Sequence, residues 1–107
     1  ATMVTGVTVV RNDFLRDHPA AVEEFLKEHA ASVDAANSDP AGVSPKVVAA
    51  GIMDNEKVVE KAIPACHLVC LSGEMESALS GYLGAIASVD ASSVGGSLPP
   101  KDFYFQG

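Results

Sequence analysis

The chain has 107 residues, 48% of them hydrophobic and 20% charged, which limits it to one small domain of globular composition. Its net charge of −7, with 7 basic residues scattered among 14 acidic ones, argues against nucleic acid as a partner, because phosphate binding needs a Lys/Arg patch. No apolar run approaches the roughly 18 residues of a membrane span, two cysteines are too few for a disulfide framework, and the absence of Trp leaves Val, Ala, Leu and Ile to build the core.

Residues 3–10 are rich in Val and Thr and predict a strand. Val7, Val9 and either Met3 or Thr5 would share one face, and Val4, Thr8 and Val10 the other. Both faces are apolar, as in a strand covered on both sides in an α/β protein. Asn12 and Asp13 cap a short turn through Arg16. His18-Pro19 then opens a helix, since proline at the first helical position gives up no hydrogen bond and has its φ preset. Glu23 and Glu24 lie near the N-terminus of that helix, where the dipole favours anions. Val22, Phe25, Leu26, Ala30 and Val33 form one apolar stripe, and the helix is expected to end near Asn37.

Asp39-Pro40 repeats the cap-plus-proline device. Val43, Val47 and Val48 are the apolar positions of the next helical segment, and Ser44-Pro45 offers a later start for it, with Gly51 as the stop. Asp54 is expected to cap a third helix, with Val58, Val59, Ala62 and Ile63 facing inward and Pro64 ending it. Residues 67–71 read as a short second strand. Ser72 caps a fourth helix whose stripe is Met75, Leu79, Tyr82, Leu83 and Ile86, with Gly81 and Gly84 placed to allow close packing. Residues 92–100 read as loop, and Phe103, Tyr104 and Phe105 as packing back.

The resulting order is strand, helix, helix, helix, strand, helix: a helix-rich α/β protein. Two strands do not make an independent sheet, so the sheet is expected to be completed by polypeptide outside this sequence. The start, Ala1-Thr2-Met3-Val4-Thr5, already reads as strand, which leads to the same expectation of an internal piece. Residues 1–105 are taken as the domain. Tyr104-Phe105-Gln106-Gly107 matches the end of a common protease-tag site, and Gln106-Gly107 reads as vector-derived.

The residues with catalytic or ligating chemistry are few. Cys66-His67-x-x-Cys70 supplies three donors where a structural zinc needs about four. On a strand, Cys66 and Cys70 would lie about 13 Å apart at roughly 3.3 Å per residue, too far for one metal or a disulfide. They read instead as small buried hydrophobes. His18 reads as a helix-start residue and His29 as a flank residue, neither with a Ser, Cys or Asp partner at a recognisable spacing. Glu74 and Glu76 suit a helix N-terminus without further function. Arg11 could reach an anionic solute, but a charge just past a strand end reads more simply as solvated surface. Gly95-Gly96 follows a helix and so does not meet the context of a phosphate loop.

Several pieces in a fixed order resemble one family. They are Met3-Val4-Thr5-Gly6-Val7-Thr8-Val9-Val10-Arg11-Asn12-Asp13-Phe14-Leu15, His18-Pro19-Ala20-Ala21-Val22, Lys61-Ala62-Ile63-Pro64-Ala65-Cys66-His67-Leu68-Val69, Tyr82-Leu83, Ser93-Val94-Gly95-Gly96-Ser97-Leu98-Pro99 and Asp102-Phe103-Tyr104. Together they resemble the C-terminal part of ABC-importer solute-binding proteins of the nitrate/sulfonate/taurine and thiamine-precursor group. The resemblance implies a two-lobed type II periplasmic-binding-protein fold and capture of a small polar or anionic solute by lobe closure. It also implies delivery to an ABC permease and ATPase, an extracytoplasmic location at the outer face of the cell membrane or in the periplasm, and no catalysis or cofactor.

In such folds the solute sits at strand ends between the lobes. By this analogy Thr2, Met3, Thr5 and Gly6 are the ligand-binding candidates: the threonine hydroxyls can bond a polar solute and glycine lets backbone approach closely. As ordinary strand formers, Thr2 and Thr5 need no such role. Two alternatives stand beside this reading. One is a thiamine-pyrimidine-synthase-like enzyme of the same fold, although the Cys-rich motif of those enzymes is missing. The other is a small self-associating helical interaction domain, in which an unpaired edge at residues 3–10 would favour a homodimer.

Overall fold

A computed structural model describes residues 3–105. These residues form five α-helices, α1 (Asn12–Asp17), α2 (Pro19–Ser38), α3 (Pro40–Ala49), α4 (Glu56–Cys66) and α5 (Met75–Val89), followed by two short 3-10 helices at Ala91–Val94 and Lys101–Phe103. No strand occurs among the described residues. This overturns the α/β expectation, the strand-helix-helix-helix-strand-helix order and the type II periplasmic-binding-protein lobe.

Both segments read as strands are irregular. Residues 3–10 run outside any helix or bridge, with Val7 63% and Val9 82% exposed. Residues 68–71 likewise lack regular structure, and Val69 is 78% exposed. Their β-branched composition expresses a preference for a pleated surface, and that preference has force only where a neighbouring strand satisfies the backbone and covers the side chains.

The described residues divide into two units, 13–70 and 3–12 with 71–105. In the first, the helices begin where local chemistry directs. His18 is the N-cap of α2, with Pro19 in its first turn. At the next junction Asp39 serves both neighbours: its backbone N–H donates to the Ala35 carbonyl at 2.9 Å, closing α2, and its carboxylate accepts from the Gly42 N–H at 3.1 Å, opening α3. That carboxylate leaves no space on Gly42, where a Cβ would run into it.

Two prolines expected to start or stop helices sit inside them. α3 runs through Pro45. Next to it the buried Ser44 hydroxyl donates to the Pro40 carbonyl at 2.6 Å, a bond back along the same helix. α4 runs through Pro64 to Cys66 and ends where His67 takes a left-handed conformation with φ 51°. Its cap is Asn55, not Asp54: the Asn55 side chain accepts from both Lys57 N–H at 3.0 Å and Val58 N–H at 3.2 Å.

The core of this unit is small. Ala36 of α2 meets Val59 and Ile63 of α4, and Val43, Val47 and Val48 of α3 pack against them half-buried. Full burial of each of Val59 and Ile63 contributes roughly 1.5–3 kcal/mol. Val58 and Ala62, expected inward, are exposed, so α4 buries a narrower stripe than its sequence suggests. On α2, Val22 and Ala36 are buried with Leu26 and Val33 half-buried, whereas Phe25 and Ala30 are exposed. Asn37 ties the turn after α4 to α2 by donating its amide to the Leu68 carbonyl at 2.9 Å.

In the second unit, α5 packs against the 3-10 helix Ala91–Val94. Its stripe residues Met75, Leu79, Tyr82, Leu83 and Ile86 are all half-buried and none is fully buried. α5 begins after Glu74, two residues later than the Ser72 cap expected, although the Ser72 carbonyl accepts from Met75 N–H at 3.4 Å. Asp90 caps the 3-10 helix and Gly95, at φ 80°, ends it in the left-handed region that glycine adopts without steric cost. Of the three aromatics expected to pack back, Tyr104 is buried and Phe105 half-buried, whereas Phe103 is 60% exposed and meets Tyr104 edge-on with ring centroids 5.3 Å apart.

Candidate functional site

Thr2 lies outside the described residues. Met3, Thr5 and Gly6 lie in the irregular segment ahead of α1, and all three are exposed. No atom stands within 4 Å of the position a Cβ would take on Gly6, and its φ is not in the left-handed region, so nothing in the described structure requires glycine there. The segment brings Met3, Thr5 and Gly6 together only by succession along the chain. Arg11, directly before α1, is exposed as well.

What this segment offers is surface. The segment lies outside any helix; Thr5 is exposed beside half-buried Val4, and Thr8 is exposed between exposed Val7 and Val9. Such a stretch can present backbone donors and acceptors, together with hydroxyls, to a polar ligand or a neighbouring polypeptide.

The remaining candidates occupy ordinary structural positions. His18 makes no side-chain cap bond, and its ring lies 4.9 Å from that of Phe14. His29 stands in the same relation to Phe25, at 5.6 Å. Each is an i, i+4 aromatic pair along the chain. Cys66, read from sequence as buried, is exposed at the end of α4, while Cys70 is half-buried; both thiols are free. Among the described residues no three His, Cys, Asp or Glu side chains gather as a group that could hold a metal ion. Glu74 is the N-cap residue of α5 without a side-chain cap bond, and Glu76 lies in the first turn of that helix.

The hydrogen bonds around Asp90 favour its charged form. Its carboxyl is held below its ordinary value of 3.8, chiefly by the Ser92 hydroxyl, which donates to it at 2.6 Å, and then by the Ser92 backbone N–H at 3.1 Å. Hydrogen bonds to the charged form favour that form, and here they complete a helix cap. The arrangement is structural: it fixes the turn out of α5.

One surface feature was not expected from the sequence. Val48, Gly51, Ile52, Met53 and Asp54 line an open depression where α3 gives way to the loop before α4. Gly51, at φ 79°, makes the turn that places Ile52 and Met53, 70% and 42% exposed, at its rim. The legible signal was a turn glycine followed by two large apolar residues in a loop.

No protein-family model, curated protein or solved structure matches this chain. Among the described residues no helix is long and apolar enough to cross a membrane.

Proposed function

We propose that this chain is part of an extracytoplasmic solute-binding protein that captures a small polar or anionic solute for an ABC importer, and that it carries out no catalysis. The reading rests on the ordered resemblance of residues 3–15, 18–22, 61–69, 82–83, 93–99 and 102–104 to the nitrate/sulfonate/taurine and thiamine-precursor group. The structural observation that supports it is the largely exposed, irregular segment at residues 3–10. Valines at 63% and 82% exposure cost free energy in water, and a neighbouring part of the full-length protein that covered them would leave Thr5 and Gly6 at the margin of the covered surface.

In this account Thr2 and Thr5 bond the solute through their hydroxyls, and the permease and ATPase are engaged by the full-length protein. A neutral hydroxyl bond contributes about 0.5–1.5 kcal/mol and one to a charged group about 1.5–3 kcal/mol. Thr5→Val in the full-length protein therefore weakens solute binding roughly 2- to 150-fold, depending on the charge of the acceptor. Unchanged affinity in both Thr2→Val and Thr5→Val would remove these residues from the site.

A second reading is favoured by one further observation. Phe25 and Val58 in the helical unit of residues 13–70 are each nearly half exposed, and Ile52 and Val69 more so. A self-associating helical interaction domain would cover such side chains with a second copy. Sedimentation velocity from low to high micromolar concentration separates the readings. A concentration-dependent shift to dimer favours self-association, and a monomer throughout removes it.

A further inference from the structure

We draw no further inference here: the strongest candidate, the largely exposed, irregular apolar segment at residues 3–10, carries nothing beyond the reading already given because nothing in the structure shows what covers it.

Discussion

The junction of α2 and α3 makes a sharp energetic prediction. Asp39 contributes its carboxylate to the Gly42 N–H at 3.1 Å, and replacing an N-cap Asp by Ala costs about 1 kcal/mol. Gly42 lies in the first turn of α3, where Ala would gain up to about 1 kcal/mol over Gly. In the presence of Asp39 that gain is cancelled, because the new Cβ would occupy the position of the carboxylate and push it off the N–H. Gly42→Ala alone is therefore close to neutral, Asp39→Ala alone loses about 1 kcal/mol, and the double variant recovers most of that loss. The coupling between the two sites is about 1 kcal/mol, large for residues three apart on an exposed helix start. Urea unfolding of the four proteins, followed by circular dichroism at constant m-value, measures it. Equal stabilisation by Gly42→Ala with and without Asp39 would show that the carboxylate does not hold the cap.

Other predictions follow from the same kind of contact. Ile63→Ala opens a cavity against Ala36 and Val59 and should destabilise by about 2–4 kcal/mol, while Val58→Ala, nearly half exposed on the same helix, should cost well under half of that; equal losses in chemical denaturation would refute the assigned inward face of α4. Asn55→Ala removes an acceptor shared by two N–H groups and should cost about 1 kcal/mol, whereas Asn55→Asp should retain nearly all of the stability. Asp90 has a folded-state pKa below its unfolded value, so its stabilisation is present above about pH 4 and is lost as pH falls through the lower folded-state value. An NMR titration of the Asp90 carboxyl carbon should give a midpoint below 3.8 that moves upward in Ser92→Ala; a midpoint insensitive to that change would contradict the assigned cause.

The parts of the fold legible in the sequence are those set by neighbours in the chain. His18-Pro19 and Asp39-Pro40 start helices as expected because the fixed φ of proline, joined at Asp39 by a side-chain cap, acts over a few residues. The end of α2 at Ser38, next to the expected Asn37, follows from the same junction. Pro45 and Pro64 were harder to place, since a proline forbids only its own N–H bond and crowds one carbonyl; the rest of the turn can continue when packing favours it, as it does for Ile63 just ahead of Pro64.

The strands were misread for a different reason. Val7, Val9 and Val69 carry β propensity, but a strand is a relation between two segments, and no local property of residues 3–10 or 67–71 states whether the second segment is at hand. The candidate site was argued from the same expected strand. Thr5 and Gly6 were placed by analogy at a strand end, and in the structure they lie in a segment without regular secondary structure. Phe25 shows a smaller version of the same limit: it lies at the edge of the α2 stripe, where the sequence pattern cannot distinguish the buried side from a surface pairing with His29.

The most direct measurement of the proposed role is titration calorimetry of the full-length protein against a panel of taurine and other sulfonates, nitrate and thiamine-pyrimidine precursors, with the 107-residue chain as the comparison. The account predicts saturable binding of one member of the panel by the full-length protein at micromolar or tighter affinity, and weak or no binding by the chain alone. Heats indistinguishable from dilution for every solute with the full-length protein, or equal micromolar affinity in the isolated chain, would contradict it.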